Sequence, residues 1–273
     1  MPETVWLILL VVATSGLGVL GGLGGAILLV PILVLLGWPA TEAAPLGLMS
    51  VAAGSIAAAP QQLRDRTVNH RLGITTEVAA TTGAVSGAIL SGLTSEDFLV
   101  YLLAGVALAA AFFGVRRSGV RNPAVEGYGA DDVGERVGAL DGAYPVSSGV
   151  APYRVRRLPL GLTLMGLAGL VAGLTGTSGG FLKTPTASEV MHVPTKVAAA
   201  TTTFTVGITA SAALVVMAVF GRLEVQSSAA IIVGSLAGGV IGAWVQSWLS
   251  PVGVRRGLSV ILVIIGVILA VSR

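Results

Sequence analysis

The hydrophobic positions of this chain do not alternate, and they do not stop after a few residues. They form runs close to the length of a bilayer crossing. Apolar sequence fills 42–63, 72–93, 98–115, 196–220, 225–248 and 257–271, and two longer runs fill 4–37 and 158–192. A crossing helix needs about 20 apolar residues, whereas a membrane barrel shows alternating segments of about 10. The pattern predicts an all-α integral membrane protein. Both long runs are interrupted: the first at Gly21, Gly22, Gly24 and Gly25 and again at Pro31, the second over 176–180 and at Pro185. Each is read as a glycine-broken hairpin, re-entrant or built of two short helices. Small residues in 72–93 (Ala80, Gly83, Ser86, Gly87) suit close helix packing. The apolar run starting at Val5 lacks a basic segment before it and flows into more apolar sequence, so it is read as part of the fold and not as a signal peptide. Residues 116–157 contain no apolar run but seven arginines and five acids. They form an extramembrane linker, with a short strand or hairpin predicted over 146–157.

The two halves repeat one another. GLGGAILLVP at 22–31 aligns with GTSGGFLKTP at 176–185, the turn Trp38-Pro39 aligns with Val193-Pro194, and stretches of small or hydroxyl residues follow at 43–50 and 198–205. The chain thus divides into a first membrane repeat (1–115), an arginine-rich linker (116–157) and a second membrane repeat (158–273). Each repeat is a broken hairpin plus three transmembrane helices. Basic loops stay on the cytoplasmic side. Arg64, Arg66 and Arg71 set their loop inside, Glu96 and Asp97 sit outside, the linker is cytoplasmic, and Arg255 and Arg256 lie inside. The loop 221–224 then falls outside, although it corresponds to the inside loop 64–71. The repeats are therefore expected to be inverted, a common transporter plan, with both termini outside. Arg222 and Arg273 oppose this with one charge each.

Composition narrows the chemistry. Of 273 residues, 54% are hydrophobic and 11% charged, against about 25% charged in soluble domains. The mean hydropathy is +0.89. There is no cysteine, which excludes disulfides, thiol catalysis and thiolate metal sites. The net charge of +3 comes from loop arginines that orient the chain, so the lipid bilayer and not nucleic acid is the expected partner. His70 and His192 lie in turns whose spacing supports no metal site. No nucleotide-binding loop of the G-x-x-x-x-G-K-[ST] type is present, and no cofactor is called for.

The stretch GLTGTSGGFLKTP at 173–185 concentrates what a lipid-buried helix avoids. Glycines break the helix, hydroxyls add donors, and Lys183 adds a charge. A helix break at membrane depth offers free amides and positive potential, which suits an anion. The expected substrate-binding residues are Gly24, Gly25, Thr175, Thr177, Ser178, Gly179, Gly180, Lys183, Thr201, Thr202 and Thr203, with Thr205 completing the hydroxyl shell. Two readings of Lys183 stand: contact with substrate or gate, and snorkelling to the inner surface. Glu77 and Glu189 lie near predicted helix ends and are read as interfacial, with carriage of a coupling proton as the alternative. Ser178 and Lys183 also admit an intramembrane enzyme. The aligned first-half residues are Gly24 and Leu29, however, so transport is favoured and no enzyme is expected. An anion channel or a membrane-complex assembly factor are further alternatives.

The glycine triplet, the Val-Pro, the GWPATEA turn and the second-half VPTKVAAATT together resemble the sulfite exporter TauE/SafE family, once per half and in register. The resemblance implies a secondary transporter in the cell membrane that exports sulfite or organosulfonates, coupled to a proton or sodium ion. The anion is expected near the midplane at the paired broken helices. The sequence departs from the family pattern in its triplets (Gly24-Gly25-Ala26 and Ser178-Gly179-Gly180) and in Leu46-Gly47-Leu48-Met49-Ser50, which leaves the substrate open.

Overall fold

The computed structural model describes residues 2–21, 24–64, 66–115, 133–146, 149–246 and 251–272. Gly22 and Leu23 of the first motif, linker residues 116–132 and loop residues 247–250 lie outside them. Five helices precede the linker: α1 (Pro2–Gly21), α2 (Ala26–Leu35), α3 (Ala40–Arg64), α4 (His70–Leu90) and α5 (Glu96–Val115). Five follow it: α6 (Leu158–Thr175), α7 (Gly180–Pro185) continued by a π turn (Thr186–Val190), α8 (Thr195–Val219), α9 (Val225–Gln246) and α10 (Pro251–Val271).

Four helical segments, Ala40–Pro60, Glu96–Gly114, Leu158–Thr175 and Thr195–Val219, are long and apolar enough to cross a membrane. The chain is thus a mostly helical integral membrane protein. α4 is long enough to cross but more polar, with four threonines and Glu77 along it. Both glycine breaks form where expected. Gly24 at φ +81° and Gly176 at φ +71° adopt left-handed backbone, which residues with a Cβ rarely adopt. Pro31, expected as a second interruption, instead lies inside α2.

The helices pair in matched sets. α4 packs on α6 as α9 packs on α1; α8 packs on α4 as α3 packs on α9; α3 meets α8 and α5 meets α10. Small residues allow the close approaches. A Cβ on Gly83 would lie 2.0 Å from the Gly166 carbonyl, and one on Gly87 would lie 2.2 Å from that of Leu170. On the other side, a Cβ on Gly238 would meet the Val12 carbonyl at 2.4 Å, and one on Gly242 that of Gly16 at 2.6 Å. The two breaks touch: a Cβ on Gly24 would lie 2.8 Å from Ser178 Oγ.

The linker, where a strand or hairpin is expected, folds into a three-stranded antiparallel sheet of β1 (Gly134–Glu135), β2 (Gly142–Val146) and β3 (Gly149–Tyr153). The hairpin predicted over 146–157 thus starts earlier. β1 pairs only with Gly142 and Ala143. Pro145 lies beyond the two described β1–β2 pairs and pairs with Val150 of β3. The sheet is fastened to the α4 entrance. Asn69 Nδ2 donates to the Leu140 carbonyl at 2.9 Å and to Tyr153 Oη at 2.7 Å, and Asn69 Oδ1 accepts from the Leu72 amide as the α4 N-cap. Tyr153 packs with Leu72, Met165, Ala187 and Met191, so the sheet closes over the ends of α4, α6 and the second hairpin.

Candidate functional site

The site starts from the second break. α6 ends at Thr175, the chain reverses through Gly176, and α7 begins at Gly180. The Lys183 amide donates to the Gly179 carbonyl at 2.9 Å, in the first turn of α7. That turn carries the lysine inward. The residue is only 2% exposed, and its Nζ donates to Glu77 Oε2 at 2.8 Å and to Thr209 Oγ1 at 2.5 Å. Thr209 in turn donates to Glu77 Oε1, as does Thr81 at 3.2 Å. Lys183 does not snorkel. Its amine is held by an acid from α4 and a hydroxyl from α8.

Glu77, read from sequence as interfacial, is 5% exposed and lies inside the protein. The correction has a physical cause. The sheet and the π turn cover the end of α4, so a residue eight positions into that helix is already buried. Burying a charge is tolerated when it is paired and hydrogen-bonded, and all three polar partners satisfy that condition here.

Beside the lysine lies a cavity of about 10 Å³, lined by Lys183, Thr76, Thr201, Thr202, Thr205 and Met165 among others. It is at the lower limit for one water and smaller than any sulfur oxyanion. Asn69 links it to the sheet, because its amide donates to Thr201 Oγ1 at 2.9 Å. Burial pushes the Tyr153 phenol up to about 12, against a smaller opposing effect of its Asn69 hydrogen bond.

The expected site residues fall into three groups. Lys183, Thr201, Thr202 and Thr205 line one cavity. The break residues form a second group that largely satisfies itself. Thr175 Oγ1 donates to the Val171 carbonyl at 2.8 Å and lies 2.7 Å from Thr177 Oγ1, and the Gly180 amide donates to Ser178 Oγ at 3.1 Å. Gly179 packs near the Ala168 carbonyl, Gly25 on Ser15, and Gly24 on Ser178. Thr203 stands apart: its hydroxyl donates to the Ala199 carbonyl, and its own carbonyl accepts from Ser55 of α3 at 2.8 Å. Sequence reasoning missed Glu77, Thr209, Thr76 and Asn69 as partners. A buried lysine demands a counter-charge, and that demand is the one signal the sequence offers. The partner is 106 positions away and no local pattern marks it. Among the described residues, no group of three or more acid or histidine side chains could hold a metal ion.

No curated protein and no solved structure matches the chain. Over residues 7–269, however, it matches the family model described as sulfite exporter TauE/SafE. With nearly the whole chain matched, including both breaks and the buried lysine, this protein belongs to the sulfite exporter TauE/SafE family.

Proposed function

We propose that the chain is a secondary transporter that exports a small sulfur-containing oxyanion, such as sulfite or an organosulfonate, across the cytoplasmic membrane. The carrying observation is the buried Lys183 beside a cavity lined by Thr201, Thr202 and Thr205. An oxyanion needs positive charge and hydroxyl donors away from water, and these residues supply both. A site near the midplane is supported by Thr209, the fifteenth residue of the 25-residue α8, roughly 21 Å along a helix of about 37 Å.

An inverted arrangement of the two repeats is supported by the matched helix pairings and by the contact between Gly24 and Ser178, which occupy equivalent motif positions. The ends of the helices agree with it. Thr4 and Trp6 of α1 share a cleft with Trp38 and with Glu224, just before α9, whereas α6 begins beside the linker sheet, where Leu158 packs with Tyr153 and Met191. On the same reading the linker, with its arginines, is cytoplasmic, and the multi-pass chain resides in the cell membrane. The enzyme alternative is disfavoured, because Ser178 Oγ accepts from Gly180 while Lys183 Nζ turns to Glu77 and Thr209.

The test is flux from proteoliposomes loaded with sulfite, thiosulfate or a short sulfonate. Saturable export of at least one of them is expected, with loss in Lys183→Met. Flux that does not saturate would favour a channel, and no flux of any of them would overturn the proposal.

A further inference from the structure

The lysine that would hold the anion already has an anion. Glu77 and Lys183 form a neutral pair sealed from water, at 5% and 2% exposure. Other charges around them are few. α6 carries no ionisable residue over Leu158–Thr175, and α8 carries only Lys196, in its first turn. On the second hairpin the remaining ionisable residues are Glu189, in the π turn, and His192, in the turn that follows it. On α4 itself His70 and Arg71 stand at the entrance, both near Glu135 of the sheet. Among the described residues, the interior charge balance at this point is therefore set by Lys183 and Glu77 alone.

A substrate anion added to that pair would leave one uncompensated negative charge in a low-dielectric interior, which is prohibitive without neutralisation. The available neutralising step is proton uptake by Glu77. We propose, on the reading that Lys183 receives the substrate, that Glu77 is the proton site of the transporter, and that anion and proton bind together. The proton comes from water to a Glu77 carboxylate oxygen. The neutral acid keeps the Thr209 and Thr81 hydroxyls as partners, while Lys183 transfers its charge-assisted contact to the substrate.

Two consequences follow from charge conservation. Anion affinity rises as pH falls, because the bound state holds one more proton than the free state. Substrate and proton also cross in the same direction, so a monovalent anion moves without net charge and a divalent one carries a single negative charge.

The test is calorimetric titration of the full-length protein in detergent with thiosulfate and methanesulfonate, neither of which titrates near neutral pH. Buffers of differing ionisation enthalpy report the protons taken up. About one proton per bound anion is expected for the wild type, and none for Glu77→Gln, whose affinity should be flat with pH. Infrared difference spectra of the wild type on anion addition should show a new protonated-carboxyl band, a readout that needs no variant. Binding without proton uptake and without the band overturns the inference and leaves the transport reading intact. Uptake that persists in Glu77→Gln also overturns it. Absence of any anion binding to the wild type removes both.

Discussion

The two halves of the molecule share a plan and differ at its centre. Aligned by motif and by helix starts, Lys183 of α7 corresponds to Leu29 of α2, Thr201, Thr202, Thr205 and Thr209 of α8 correspond to Leu46, Gly47, Ser50 and Gly54 of α3, and Glu77 of α4 corresponds to Ile232 of α9. One side is a polar nest around a charge. The other is packed: Leu29 and Leu46 are buried, and Ser50 is occupied by a 2.8 Å contact with Ser235. The ends differ too. The linker sheet closes over the polar side, whereas the opposite face carries a cleft of about 400 Å³ lined by Trp6, Trp38, Glu224 and Gln226. The two halves offer matched frames, and on the proposed function a handful of side chains would make only the second fit for an anion.

The largest effect that could break this comparison is at the ion pair. Lys183→Met alone should lower transport about 10- to 100-fold, the worth of a charge-assisted contact of ~1.5–3 kcal/mol. It should also destabilise the protein by about 3–5 kcal/mol, by leaving Glu77 buried and unpaired. The double variant Lys183→Met/Glu77→Leu should recover stability in thermal unfolding without recovering flux. If the double variant transports, the charge is structural and the two halves are equivalent after all.

A smaller effect sharpens the contact between the breaks. Gly24→Ala should cost about 1–3 kcal/mol, because it forces a Cβ onto left-handed backbone and against Ser178. Ser178→Ala should cost only about 1 kcal/mol, the hydrogen bond to Gly180. Equal melting temperatures for the two variants would show that the breaks do not bear on each other.

Much of this architecture is legible in the sequence. Runs near 20 apolar residues declare the helices. Paired glycine clusters declare the breaks, because irregular backbone at membrane depth survives only where protein encloses it. Pro31 misleads. As the sixth residue of α2 it forfeits the bond that an N–H there would give to the Ile27 carbonyl, yet α2 runs through it. The site is less legible. Lys183 and the α8 threonines stand out as costly residues in an apolar run, but Glu77 looks like a helix-end acid until the linker sheet is seen to cover that end. Its partnership with Lys183 is tertiary, and neither composition nor spacing encodes it.

The smallest effect concerns the sheet over the polar side. The Tyr153 phenol is raised from its ordinary value to about 12 by burial, so the folded state holds its proton more tightly than the unfolded chain does. Its contribution to stability is full below about pH 10 and is lost as pH rises towards about 12. Ultraviolet difference titration should assign the late-ionising tyrosine to Tyr153 by its absence in Tyr153→Phe. An unchanged titration in that variant would mean that the sheet does not seal this end.

The claim that only the second half binds the anion is tested most directly by calorimetric titration of thiosulfate into three proteins: wild type, Thr201→Val/Thr205→Val and Leu46→Ala/Ser50→Ala. The second-half variant should lose about tenfold or more in affinity, as two hydroxyl contacts of about 1 kcal/mol each imply. The first-half variant should melt at a lower temperature and bind as the wild type does. Equal losses in both, or a loss confined to the first half, would contradict the account.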